Sequence, residues 1–233
     1  MKGLAKLGFT QSYTYFTWRT QKWELELYLN ELTAYPERDF YRPNFFVNTP
    51  DILPYHLQSG ETWMFKSRVA LAASLSSTYG LYNGFELLEH DPIPGKEEYL
   101  DSEKYEIKVR DWDISGNIKP YIRDLNRVRR ENAALQQTSQ LRFIPIDDGN
   151  VIGFVKESVD MTNTVVGAIA LSRDVHEFWL PLVGVQVDVG GERRPVAAVE
   201  NLITGERSAL DWGGIRLRID PVRDPALLFR CLA

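Results

Sequence analysis

The sequence predicts an α/β unit followed by an all-β one, and three observations carry that expectation. Residues 1–137 alternate short strand-like runs with longer helical ones. From Leu141 onward, short β-branched runs alternate with Gly, Asp and Asn turns. Between them, at 136–140, lies a polar QQTSQ stretch that sets the boundary, giving expected domains at 1–137 and 138–233. With 233 residues, the chain is long enough to bury a substantial core in one large domain or two ordinary ones.

The elements follow in order. Residues 9–16 (FTQSYTYF) are aromatic and β-prone. Residues 21–32 (QKWELELYLNEL) carry Trp23, Leu27 and Leu29 near helical spacing, with acids between them. A buried strand is expected at 45–47, an Ala/Leu-rich helix at 62–76 (TWMFKSRVALAASLS), and a glycine-containing strand at 79–85 (YGLYNGF). Residues 120–135 (PYIRDLNRVRRENAAL) form an amphipathic helix with Ile122, Leu125, Val128 and Leu135 on its apolar side. Strand, helix, strand, helix, strand, long loop, helix is the pattern of parallel βα units. The remainder reads as an antiparallel sandwich of about eight strands, punctuated at Asp148–Gly149, Gly190–Gly191 and 213–214. Three strand–helix pairs complete neither a doubly wound sheet nor a barrel, which needs eight. Residues 9–16 would then form an exposed aromatic edge, which natural sheets avoid.

Composition narrows the function. The net charge of −5 gives no electrostatic reason to expect nucleic acid or an acidic membrane surface as partner. Apolar runs fall far short of the roughly 20 residues that span a bilayer. The start, MKGLAKLGFTQ, has no apolar core or small-residue cleavage site of a secretory signal. The single cysteine, Cys231, has no internal partner and is expected to be buried and inert, and no Cys/His cluster has zinc spacing. His56, His90 and His176 lie far apart. These features predict a cytoplasmic protein without metal or cofactor.

In parallel α/β architectures the working residues stand on loops after the strands' C-terminal ends. Asp51 follows the strand at 45–47 in that position, behind a Pro50 that turns the chain sharply; it reads either as a site carboxylate or as a helix N-cap. Glu86, after the glycines of GLYNG, reads as a site acid or as part of a turn. Residues 97–112 (EEYLDSEKYEIKVRDW) read as a solvated charged loop or, through Tyr99, Tyr105 and Trp112, as an aromatic platform for sugar.

Several segments taken together, GLAKLGFTQSYTYFTWRTQKWEL, RPNFFVNTPDILPYHL, SSTYGLYNGFEL, EEYLDSEKYEIKVRDW and LNRVRRENAALQ, resemble the maltose-1-phosphate-dependent α-1,4-glucan maltosyltransferases of the α-amylase superfamily. The match runs in order from Gly3 to about Gln137. The resemblance implies that 1–137 is the last three βα units of a (β/α)8 barrel, strands six to eight, followed by a C-terminal antiparallel β-sandwich. It implies a retaining transfer of maltosyl from α-maltose 1-phosphate to the non-reducing end of an α-1,4-glucan, with release of phosphate, by an enzyme that is commonly homodimeric. Three carboxylates share that chemistry: a nucleophile, a general acid/base about 5 Å from it, and a transition-state stabiliser. NFFVNTPD carries the third, so Asp51 takes that role; Thr49–Pro50 stand where most amylases have Asn-His, which favours this subfamily. SEKYE implies that Lys104 and Tyr105 hold the donor's second glucose. No acid here matches the nucleophile or the acid/base, so Met1 is expected to mark an internal start or a truncated gene. The chain is then expected to be inactive alone, and a catalytically inactive glucan-binding or partner-completed module is the alternative.

Overall fold

The computed structural model describes residues 1–103 and 107–233. The first part holds three parallel strands, β1 (Ser12–Tyr13), β2 (Pro43–Phe46) and β3 (Thr78–Gly80), in sheet order β1–β2–β3. Helix α1 (Lys2–Lys6) precedes them, α2 (Lys22–Thr33) and α3 (Glu37–Phe40) link β1 to β2, α4 (Thr62–Leu75) links β2 to β3, and α5 (Lys119–Glu131) follows. Strand, helix, strand, helix, strand is therefore the observed order, with every neighbour parallel.

Local chemistry explains the helix ends. The Glu24 carboxylate reaches back to the Gln21 backbone N–H at 3.2 Å and to that of Thr20 at 3.3 Å, closing a capping box at the start of α2. Helix α5 opens on Pro120, whose missing N–H costs nothing there, and ends with Arg129 and Arg130 in its last turn. Ile122, Leu125 and Val128 are buried as the spacing predicts, whereas Leu135, expected on the same helical face, is buried in a separate 3-10 turn, Ala133–Gln136.

Three further expectations need correction. The buried face of α2 is Leu25, Leu29 and Leu32, whereas Trp23 and Leu27 are each 65% exposed. Residues 9–16 give only a two-residue strand followed by a 3-10 turn at Tyr15–Trp18. The cause lies in α4: the buried Arg68 guanidinium donates to the Phe16 carbonyl at 2.6 Å and the Arg19 carbonyl at 2.7 Å and stacks 4.2 Å over the Phe16 ring, curling the segment inward. Residues 79–85 likewise shorten to β3, because Gly84 turns the chain at φ 99° into a 3-10 turn, Phe85–Leu87.

The second part comprises β4 (Leu141–Ile144), β5 (Val151–Glu157), β6 (Thr164–Ala170), β7 (His176–Pro181), β8 (Gln186–Val189), β9 (Glu192–Pro195), β10 (Ala198–Asn201), β11 (Arg207–Ala209), β12 (Gly214–Ile219) and β13 (Ala226–Leu232). All pair antiparallel: a six-stranded sheet β11–β10–β13–β6–β5–β4, and the pairs β12–β7 and β8–β9. Strands β9 and β11 were not expected, because ERRP and RSA lack apolar alternation and owe their shape to their neighbours.

The centre of the six-stranded sheet, β5 and β6, is buried on both faces. On one, Val151, Val155, Val166, Ala168 and Ala170 pack with Phe178, Leu180 and Ile219 of the β7–β12 layer. On the other, Ile152, Phe154, Val165, Ile169 and Leu228 join one continuous core with Leu25, Phe45, Phe65 and Leu125. Helix α4 lies between the two parts, which is why most of its residues are buried and why it lacks a polar face. Polar ties seal the contact: Ser67 donates to the Ala170 carbonyl at 2.7 Å, Lys156 to the Ser74 carbonyl at 3.1 Å, and Lys22 to the Ile146 and Asp148 carbonyls at 2.8 and 2.9 Å. No helix among the described residues is long and apolar enough to cross a membrane.

Candidate functional site

The loops that follow β1, β2 and β3 meet at the C-terminal end of the parallel sheet, and two side chains organise the meeting. The first is Asn48, fully buried just past β2. Its Nδ2 donates to the Tyr99 hydroxyl at 2.7 Å and to the Tyr82 carbonyl at 3.4 Å, while its Oδ1 accepts the Tyr82 N–H at 2.8 Å. One amide thus pins the end of β2, the loop after β3 and the segment from residue 97 together. The second is Glu97, whose carboxylate accepts from Trp18 Nε1, after β1, at 3.3 Å and from the Tyr55 N–H, after β2, at 3.0 Å. Its carbonyl also accepts the Leu53 N–H at 2.9 Å.

Asp51 sits in the middle of this assembly. Thr49 and Ile52 exchange two backbone hydrogen bonds, each 3.1 Å, so Pro50 and Asp51 form the tip of a tight two-residue turn. The Thr49 hydroxyl accepts the Asp51 N–H at 3.3 Å, and the Asp51 residue is exposed. The N-cap reading fails: the next helical turn, Tyr55–Leu57, is preceded by Pro54. A carboxylate on a short, doubly bonded turn, rooted in a buried strand and braced by Leu53 and Tyr55, is held in place without being buried itself.

The loop after β3 is braced further by charge. Arg110, with its side chain 2% exposed, pairs with Glu89 at 2.8 Å and Glu103 at 2.9 Å, and donates to the Tyr82 hydroxyl at 3.3 Å. Burial opposes its charge, but its partners Glu89, Glu103 and Tyr82 outweigh that and hold its pKa above the usual arginine range. Burial pushes the Tyr99 hydroxyl well above its ordinary pKa, so it stays neutral and accepts from Asn48. Tyr99 therefore belongs to the scaffold and is no sugar platform; Trp112 is 44% exposed. Burial, reinforced by the Arg68 charge, pushes His56 down to about 2, which removes it as an acid or base near neutrality. Glu86 folds back, accepting the Gly84 N–H at 3.1 Å, and lines a groove with Lys119, Ile122 and Arg123 on the α5 side. Lys104 and Tyr105, expected to hold donor sugar, lie outside the described residues.

One face of the parallel sheet packs on the helices through Phe45 and Val47, and the other presents Tyr13, Phe46 and Thr78. Tyr13 stacks on Phe46 with ring centroids 4.8 Å apart, and Tyr13 and Thr78 are exposed. Gly80 lies under this stack: a Cβ there would stand 2.3 Å from the Phe46 ring. Asn48, Glu97, Arg68 and Arg110 were all missed as site residues. Asn48 lies inside NFFVNTPD, and Glu97 and Arg110 lie inside EEYLDSEKYEIKVRDW, so these three stand in segments that carry the resemblance, whereas Arg68 has no such signal.

No family model matches the chain. The curated relatives are decisive. The α-1,4-glucan:maltose-1-phosphate maltosyltransferase of Rhodospirillum rubrum is 48% identical over 235 residues, covering 99% of this chain and 33% of that protein. The Chlorobaculum tepidum protein of the same name is 46% identical, over 99% of this chain and 35% of its own length. The chain belongs with the maltosyltransferases. It spans about a third of the length of these relatives. Among solved structures, AmyP in complex with maltose matches with a TM-score of 0.72 at 14% identity, over 95% of this chain and 50% of that one. The α-amylase of Geobacillus thermoleovorans complexed with acarbose matches at 0.69 and 13%, over 100% and 50%. These two likenesses are of fold.

Proposed function

We propose that these 233 residues supply one of three catalytic carboxylates, and the donor-holding residues, of a retaining transfer of maltosyl from α-maltose 1-phosphate to the non-reducing end of an α-1,4-glucan. In this reading residues 1–137 are strands six to eight of a (β/α)8 catalytic barrel with their helices, and 138–233 a C-terminal β-sandwich, of a cytoplasmic enzyme working as a homodimer. Asp51 is the transition-state stabiliser. Its fixed negative charge faces the oxocarbenium-like ring as the phosphate leaves, and it exchanges no proton. Lys104 and Tyr105 hold the second glucose of the donor. The nucleophile and the acid/base match no residue of the 233.

The observation that carries this reading is the rigid turn at Thr49–Ile52, which holds Asp51 at the C-terminal end of the central parallel strand where the loops after all three strands converge on Asn48 and Glu97. Sequence kinship with the maltosyltransferases supports the substrate pair. A second reading, an inactive module that binds glucan or is completed by a partner, draws on the exposed Tyr13–Phe46 face.

Phosphate release separates the two. The purified chain releases none from α-maltose 1-phosphate with maltooligosaccharide. A chimera joining the first two-thirds of the Rhodospirillum rubrum relative to this chain releases phosphate, and Asp51→Asn lowers kcat roughly 100-fold or more. An active chimera indifferent to Asp51→Asn refutes the assigned role, and turnover by the chain alone refutes the missing carboxylates.

A further inference from the structure

The outer layer of the sandwich carries an aromatic surface that neither the sheet nor the core requires. In the β7–β12 pair, Phe178, Leu180 and Ile219 point into the core, so the alternate residues face water. Trp179 lies opposite Arg216, and Glu177 opposite Arg218, with the latter two at 3.6 Å. Arg216 forms no ion pair among the described residues. The Trp179 indole lies across β12 at Gly214, where a Cβ would stand 2.6 Å from the ring. A side chain is excluded at 214 so that the ring lies flat.

The approach to β12 is stranger. Asp211 and Gly214 exchange backbone hydrogen bonds of 2.9 and 3.0 Å around a two-residue turn formed by Trp212 and Gly213, with φ 47° and 75°. Two left-handed central residues make the type I′ hairpin turn, whose natural sequence is Asn-Gly. A tryptophan in the first position is strained by its Cβ, and this one is 91% exposed, so it gains nothing from burial. Backbone strain and hydration both oppose Trp212, and such a conflict between a residue and its local environment marks a functional position.

We propose that the outer face of the β7–β12 pair, with the turn that enters β12, is a second binding surface for α-1,4-glucan, with Trp179 and Trp212 stacking on sugar rings and Arg216 and Glu177 bonding hydroxyls. This deepens the proposed function and rests on its choice of α-glucan. The occupant follows from the pattern. Trp179 is flanked by Arg216 across the strand pair and by Glu177 two residues along β7, and Trp212 stands at the entry to β12, so ring faces lie beside hydroxyl-bonding groups, the combination that the C–H faces and hydroxyls of a sugar chain match. Trp212 lies two residues before Gly214, over which the Trp179 ring sits, and four before Arg216, a backbone span of roughly 7–13 Å, so a ligand that engages both is an oligosaccharide.

Affinity electrophoresis of the full chain through glycogen-containing gels tests this, with dextran gels as the control. Glycogen retards the chain; Trp212→Ala and Trp179→Ala each weaken retardation about tenfold, and Trp23→Ala, at the exposed tryptophan of α2, leaves it intact. Trp212→Asn separates binding from folding: it raises Tm, by relieving the turn, while retardation is lost. Absence of retardation, equal loss on Trp23→Ala, or undiminished retardation of Trp212→Asn overturns the proposal. The chimera keeps the two readings apart: phosphate release without retardation removes only this surface, and retardation with an inactive chimera removes only the transfer reading.

Discussion

The two sheets of this protein differ in almost every respect that matters for stability. The parallel strands are two to four residues long, have one face open, and hand over to long loops whose order comes from buried polar groups such as Asn48 and Arg110. Antiparallel β5 and β6 are seven residues each and buried on both faces. Antiparallel sheets usually leave one face to water, so this one is unusual in serving two cores, one shared with α4. Labour is divided between the two sheets: apolar burial on β5 and β6 anchors the molecule, and hydrogen bonds at the ends of β2 and β3 shape the surface where Asp51 stands.

The largest expected effect probes the anchor. Phe154 is fully buried on β5, and Phe154→Ala is expected to cost about 3–5 kcal/mol, against about 1 kcal/mol or less for Tyr13→Ala on the open face. Equal losses in denaturant titrations would erase the contrast. Next comes the polar scaffold. Asn48→Ala removes three hydrogen bonds and leaves the Tyr82 N–H without its acceptor, an expected loss of about 2–3 kcal/mol. Amide exchange should rise around Asp51 and Tyr82 and stay unchanged in β5 and β6; a uniform rise would show that the two regions do not divide the work.

The smallest effect lies at the join. Burial, with the nearby Arg129 charge, pushes Lys156 down to about 7. The unfolded chain keeps that proton to its ordinary value of 10.5, so between these values the unfolded state binds more protons and stability rises with pH. The gain from pH 7 to pH 8 is about 1 kcal/mol, and Lys156→Met, which has no proton to lose, should flatten it. An unchanged slope in the variant would place the titration elsewhere.

How much was legible depended on where each signal resides. The helix at 119–131 and the strand 151–157 follow from periodicity and β-branched runs that repeat within a few residues, although the helix expected to reach 135 stops at Glu131 and a separate 3-10 turn, Ala133–Gln136, follows. The buried face of α2 is not legible locally because Trp23 and Leu27 are as apolar as Leu25 and Leu29, and only the position of α3 and β4 decides which side turns inward. The strand expected at 9–16 was cut short by Arg68, about fifty residues away. Of the candidate site, Asp51 could be picked out from its proline-led turn after a strand. Glu97 opens the EEYLDSEKYEIKVRDW segment that carries the kinship, but its joining of Trp18 to Tyr55 is invisible in a charged loop that reads equally well as solvated.

The sequence alone determined the order of helices and strands, the change of rhythm near residue 140 and the kinship carried by NFFVNTPD, because each is written in neighbouring residues. Tertiary structure alone decided that α4 is shared by two cores, that the loops after three strands meet at Asn48 and Glu97, and that Trp212 stands strained in water. Those outcomes rest on contacts between residues far apart in the chain, or on which side of an element its neighbours occupy, and local periodicity contains neither.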